Sequence, residues 1–167
     1  MYTKIMLNNK NVAPEHRLLG EIEPIGSQLL AQPLVINGKT YVWSSADEET
    51  GIVLVEEIDF KEDPDGDIRN EEGLECPHCG FVDCDANELH EDDGETDCSR
   101  CESDIKYKRT VVKNVSGNVE DVIYYSSPVG KRETVEIKLS GGVLGGKYEG
   151  GVCCGREQSV RESKSGM

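Results

Sequence analysis

Aromatic side chains are scarce in this chain: one tryptophan, two phenylalanines and six tyrosines stand among 167 residues. Hydrophobic residues of all kinds make up only 36%, against 31% charged. That composition argues against one large core. It suits small β modules with thin cores, which often depend on a metal or covalent staple. No apolar run approaches the roughly 20 residues that a membrane helix needs, so no membrane role of that kind is expected. The opening stretch MYTKIMLNNKNVAPEHR has no apolar core ahead of a small-residue cleavage site and does not read as a secretion signal. Helix-period stripes and solenoid or propeller repeats are also missing.

Positive charge is absent where it would be needed to balance the middle of the chain. The net charge is −15, and residues 47–104 carry 23 acids against three basic residues, while 1–46 and 105–167 are near neutral or mildly basic. Solvated, self-repelling loops account for such a segment. The sharper alternative is a docking surface for a basic partner, including DNA mimicry in which carboxylates stand where phosphates would.

What is present reads as β structure. Leu34-Val35-Ile36 and Thr40-Tyr41-Val42-Trp43 flank Asn37-Gly38, a tight-hairpin signal because both turn residues tolerate positive φ. Gly51 to Phe60 supplies a third strand of that meander. Leu18 to Glu23 and Gln28 to Ala31 are weaker strand candidates, and Pro14 to Gly20 suits one helical turn stopped by glycine. The acid-rich stretch 61–75, with its Pro64-Asp65-Gly66 turn, reads as a linker. Beyond it, Ile105 to Val115, Val119 to Ser126 and the alternating Glu133 to Leu139 are strands. From Ser140 onward eight glycines fall in 28 residues, a composition that buries little. The expected organisation is mainly β: a module over 1–60, a linker over 61–75, a metal-stapled unit with a β meander over 76–139, and a glycine-rich tail over 140–167.

The chemistry lies in Cys76-Pro77-His78-Cys79-Gly80 and Cys98-Ser99-Arg100-Cys101. Each Cys-x-x-Cys bends the backbone so that two thiolates aim at one point, and two such knuckles on neighbouring hairpins complete a tetrahedron around zinc. The expected ligands are Cys76, Cys79, Cys98 and Cys101, holding one structural zinc ion. Four thiolates leave no open coordination position, so catalysis at the metal is not expected. In the second knuckle Glu102 stands where glycine often follows the last cysteine, which predicts a less regular turn. His78 lies inside the first knuckle with its ring expected to point away; Cys84 and His90 are expected bystanders.

The segment CPHCGFVDCDANELHEDDGETDCSRCESDIKYKRTVV resembles the zinc-ribbon superfamily. More narrowly, it is similar to small zinc-ribbon proteins encoded by bacteriophages of Gram-positive bacteria, over residues 75–113. The resemblance implies a zinc site and a phage setting; ribbons serve many functions, so it does not specify one.

Lys106, Tyr107, Lys108, Arg109 and Lys113 form a basic, aromatic-bearing strand after the ribbon and are the candidate nucleic-acid contacts. The neighbouring acidic segment opposes a polyanion, and pairing of these residues across the sheet is the plainer expectation. Cys153-Cys154 reads as idle thiols in the tail. No acid/base pair, activated nucleophile or phosphate loop stands out. Seven cysteines, an odd number with four at metal spacing, point to a reducing, intracellular compartment. The functional expectation is a non-enzymatic structural or interaction protein that contacts other proteins or itself, with a nucleic-acid accessory or a DNA mimic as the alternatives.

Overall fold

The computed structural model describes residues 1–140, and the expectations for the rest of the tail, Cys153 and Cys154 included, lie outside them. The chain is mainly β. Its strands are β1 (Tyr2–Leu7), β2 (Leu18–Ile25), β3 (Leu34–Ile36), β4 (Lys39–Asp47), β5 (Ile52–Ile58), β6 (Ile68–Asn70), β7 (Leu74–Glu75), β8 (Val82–Asp83), β9 (Asp93–Asp97), β10 (Asp104–Lys113), β11 (Val119–Pro128) and β12 (Val135–Glu136). No helix among the described residues is long and apolar enough to cross a membrane.

Asn37 and Gly38 both adopt positive φ, 51° and 79°, and close the β3–β4 hairpin as the Asn-Gly pair predicts. β5 completes the meander. Pro14–His16 forms a 3-10 turn, close to the helical turn expected there. Gln28 to Ala31 is not a strand: Ser27–Ala31 forms a 3-10 turn. A strand would send Leu29 and Leu30 to opposite faces. The turn buries Leu30 and lets Leu29 pack beside it on the same core.

The first sheet has the order β12-β3-β4-β5-β1-β2, with β1 parallel to β5 and β12 parallel to β3. Its two edges meet. Leu139 bridges Ile22, and the Ser140 N–H donates to the Glu21 carbonyl at 2.8 Å. The sheet thus curls into a small barrel around Ile5, Ile22, Leu34, Ile36, Val53 and Val55, with Val135, Ile137 and Leu139 packed against them. The approach is close: a Cβ on Gly20 would lie 3.0 Å from Leu139 Cδ2.

This placement corrects the expected strand over 133–139. It narrows to Val135–Glu136 and joins the first sheet instead of extending the meander. The meander that grows out of the cysteine region is β9-β10-β11. With β6 it makes the second sheet, in the order β6-β11-β10-β9. The acid-rich stretch 61–75 is not wholly loop, since it supplies β6 to this sheet and β7 to a two-stranded hairpin with β8.

Residues 129–134 cross from the second sheet to the barrel over Glu62. Its Oε1 accepts from Thr134 Oγ1 at 2.6 Å and from the Thr134 N–H at 3.1 Å, and its carbonyl accepts the Arg132 N–H at 2.8 Å. These bonds, the Thr134 hydroxyl first, hold the Glu62 carboxyl below its ordinary value. A depressed folded value means that the contribution to stability is complete above the ordinary 4.5 and is lost as pH falls through the folded value. Glu62→Gln is therefore expected to flatten the acid limb of the urea-midpoint profile below that pH. Superimposable profiles for variant and wild type would refute it.

Candidate metal centre

The β7–β8 hairpin, in register Glu75 to Val82, is closed by residues 76–81; the β9–β10 hairpin, in register Asp97 to Asp104, is closed by 98–103. The two loops use one hydrogen-bond pattern. Gly80 N–H donates to the Cys76 carbonyl at 2.8 Å and Cys76 N–H to the Phe81 carbonyl at 2.8 Å. Glu102 N–H donates to the Cys98 carbonyl at 2.8 Å and Cys98 N–H to the Ser103 carbonyl at 2.9 Å. Gly80 and Glu102 sit at φ 71° and 56°, the left-handed region. The second knuckle is thus as regular as the first, contrary to expectation, with Glu102 carrying the backbone strain that glycine escapes.

Two substitutions test that equivalence. A left-handed non-glycine residue costs about 1–2 kcal/mol, and glycine's extra chain entropy returns about half of it. Glu102→Gly should raise the stability of the metal-loaded protein by about 0.5–1 kcal/mol. Gly80→Ala should lower it by about 1 kcal/mol through backbone strain alone, because a Cβ there meets nothing within 4 Å. Thermal unfolding of both variants reads the signs, and equal shifts in one direction would contradict the shared geometry.

The loops bring four sulfurs together. The Sγ atoms of Cys76, Cys79, Cys98 and Cys101 all lie within 4.8 Å of one another. Cys76 to Cys101 is 3.7 Å and Cys79 to Cys98 is 3.6 Å. A disulfide needs about 2.05 Å, so these are not bonded pairs. A tetrahedron with metal–sulfur bonds of about 2.3 Å has edges of about 3.8 Å, close to the Cys76–Cys101 and Cys79–Cys98 separations. The four residues could therefore hold one metal ion with no change of backbone.

The surroundings suit thiolates around a cation. Arg100 N–H donates to Cys98 Sγ at 3.4 Å, and Ser103 Oγ lies 3.1 Å from Cys101 Sγ. Hydrogen bonding with Cys76 first, then with Cys79 and Cys98, pulls the Cys101 thiol well below its ordinary value. The same contact pushes Cys76 well up, and Cys101 likewise pushes up Cys79. Cys98 is lowered as well, so protons alone divide the four sulfurs, favouring negative charge on Cys98 and Cys101 and opposing it on Cys76 and Cys79; a dication would let all four ionise.

The cluster sits where the barrel meets the second sheet. Val42 of β4, Ile58 of β5 and Ile105 of β10 bury it, with Phe60 and Phe81 alongside, and the cysteines are 1–9% exposed. His78 is buried but does not belong to the cluster. Its Nδ1 lies 2.8 Å from the Lys61 carbonyl, its own carbonyl accepts the Lys61 N–H at 2.8 Å, and its ring stacks on Phe60. It pins the first knuckle to the chain leaving β5. Cys84 and His90 are exposed and outside the cluster. Within the first hairpin, a Cβ on Gly73 would run into the Asp83 carbonyl, so glycine is required for this close pairing.

Strand alternation divides the five candidate nucleic-acid residues. Lys106 and Lys108 lie on the open face of the second sheet, beside Glu95 and Asp93 of β9 and the exposed ring of Tyr125. Tyr107 is on the other face, 7% exposed, packed with Leu74, Ala86 and Tyr124. Arg109 is there too, donating to Asp92 Oδ1 at 2.9 and 3.1 Å and to the Asn87 and Leu89 carbonyls. It holds the loop before β9 in place. Lys113 ends β10, away from the rest. The structure therefore does not assemble the five on one surface.

The embedding of the site by Val42 and Ile58 is the part that sequence reasoning missed. A signal was present: Tyr41, Val42 and Trp43 are consecutive apolar residues in a strand, the pattern of a strand covered on both faces. No protein-family model, curated protein or solved structure matches this chain.

Proposed function

We propose that the protein is a non-enzymatic structural or interaction protein whose fold is stapled by one zinc ion on Cys76, Cys79, Cys98 and Cys101. The observation that carries this reading is the cluster of four sulfurs, all within 4.8 Å of one another and buried at the junction of two sheets. Zinc is the borderline-soft cation that such closed thiolate sites most often hold, and iron is the competitor with the same geometry. A closed shell leaves no position for substrate, which favours a structural over a catalytic ion. The resemblance of residues 75–113 to phage zinc ribbons supports an accessory or assembly role in a virion or an infected cell, with protein as the partner.

Metal analysis of the purified protein tests the site. One zinc per chain is expected, falling to a small fraction in Cys98→Ser. Iron in its place, or wild-type metal content in the variant, would overturn it. The nucleic-acid reading now rests on Lys106, Lys108 and exposed Tyr125, which share an open depression of about 690 Å3 with Asp67, Asp93 and Glu95. Those acids oppose phosphate, so any binding should be weak and steeply salt-dependent.

A further inference from the structure

The second sheet does not close on itself as the barrel does, and β9 is one of its outer strands. β9 lies against β10 over an unbroken register, from Asp97 opposite Asp104 to Asp93 opposite Lys108. That register continues past both ends: Arg109 N–H donates to the Asp92 carbonyl at 2.6 Å, and Cys98 N–H to the Ser103 carbonyl at 2.9 Å. In an antiparallel ladder, hydrogen-bonded pairs alternate with pairs that are not. Asp92, Gly94, Thr96 and Cys98 therefore turn their backbone groups toward β10. Asp93, Glu95 and Asp97 turn theirs outward, where no strand of the described chain pairs with them. All of β9 is exposed except half-buried Thr96. Proteins ordinarily blunt such an edge with lysine, proline or a bulge. Residues 91–97 contain no lysine and no proline, and the β9–β10 register has no bulge.

The side chains define what fits beside this edge. Asp93, Glu95 and Asp97 share the open face of the sheet with Asp104, Lys106 and Lys108 of β10. Among the described residues, none of these six side chains takes part in an ion pair. Four acids against two bases leave this face net negative, and Asp67 across the depression adds to it. The nearby guanidinium groups are engaged elsewhere, Arg69 with Glu71 and Arg109 with Asp92. One contact is unfavourable in itself. Asp97 and Asp104 stand directly opposite each other in a pair without hydrogen bonds, the closer of the two cross-strand spacings. Like charges so placed repel, and no base of the chain bridges them. A cation brought in from outside would relieve that repulsion.

We propose that β9 accepts an extended basic segment of another protein as an added antiparallel strand, with lysine or arginine at every second position. Its backbone pairs with the outward groups of Asp93, Glu95 and Asp97. Residues directly opposite one another share a face, so its bases meet the same three carboxylates. Charge argues against a second copy of this chain, because β9 beside β9 sets carboxylates against carboxylates. It argues against residues 141–167 as well, whose bases Lys147, Arg156, Arg161 and Lys164 never stand two apart. The proposal rests on the interaction-protein reading above and specifies the chemistry of the partner.

The probe is a short capped peptide in which lysine alternates with threonine or valine, titrated at low salt into full-length, metal-loaded protein. Amide exchange reads the edge directly. The N–H groups of Asp93, Glu95 and Asp97 should gain protection, while those of Gly94 and Thr96, already bonded to β10, should not change. Methylating the lysine N–H groups of the peptide keeps every charge and removes its donors, and should weaken binding on the order of tenfold or more. Gathering the same lysines at one end of the peptide should also weaken it. Glu95→Gln and Asp97→Asn, both at exposed positions outside the cores, should each weaken it several-fold. No binding at millimolar peptide, equal binding of the methylated or rearranged peptide, or protection that does not alternate along β9 would overturn the proposal. So would protection of Asp93, Glu95 and Asp97 in concentrated protein without peptide, which would make the occupant a second copy. Metal content measured on the same sample separates these failures from failure of the zinc-stapled reading.

Discussion

Chelation of the metal is expected to dissolve the seam between the two sheets as well as the ribbon itself. Zinc-finger peptides owe about 10–16 kcal/mol of apparent folding energy to their ion, more than the β7–β8 and β9–β10 hairpins could replace from their own packing. The sulfurs form most of the apolar cluster that joins Val42 and Ile58 of the barrel to Ile105 of the second sheet. Without the ion, four thiol groups in contact repack around protons, and Val42 and Ile58 lose their cover. Amide exchange after complete metal removal should show early loss of protection over 68–128. The sequence organisation, a metal-stapled unit over 76–139 beside a module over 1–60, would place that loss over 76–139. The structure moves that boundary, since Val135 to Leu139 belong to the barrel sheet and should keep their protection with it. Exchange in 135–139 that follows the ribbon would count against this partition. Acid should mimic the chelator, because protons compete for the thiolates and metal affinity falls with pH.

Weakening the closing strand is expected to have the second-largest effect. Ile137→Ala combined with Leu139→Ala should cost about 2–4 kcal/mol, since both side chains pack on the barrel core and full burial of each would be worth about 1.5–3 kcal/mol. The segment also satisfies backbone groups on both edges: Val135 and Ile137 N–H donate to the Pro33 and Val35 carbonyls of the β3 edge at 2.9 and 2.8 Å, and Ser140 N–H donates to the Glu21 carbonyl of the β2 edge at 2.8 Å. Urea unfolding measures the loss. A change within about 0.5 kcal/mol, the range of surface substitutions, would show that the barrel does not depend on its closure.

Much of the local structure was legible because its signals are local. The Asn37-Gly38 turn, the β3–β5 meander and the β10–β11 hairpin each follow from alternation and a turn residue close by. The four-cysteine cluster was legible for the same reason, since a Cys-x-x-Cys turn is complete in four residues. β1 was not legible, because Tyr2–Leu7 has no adjacent hairpin partner signal and its parallel neighbour β5 lies far along the chain. The 3-10 turn at Ser27–Ala31 was misread for want of knowing that one core would receive both leucines. Glu102 was misjudged because a left-handed residue is paid for by the surrounding knuckle, and sequence does not show that support.

By itself the sequence determined the mainly β class, the two knuckles, and the four sulfurs that converge from them. It could do so because those features depend on residues within a few positions of one another. Only the tertiary structure decided where the four-cysteine cluster sits and what it joins: Val42 and Ile58 reach it from the barrel, and β12, led over Glu62 by residues 129–134, closes that barrel. Those pairings link residues far apart in the chain, and their stability comes from surface removed from water, a quantity that exists only after the chain has folded.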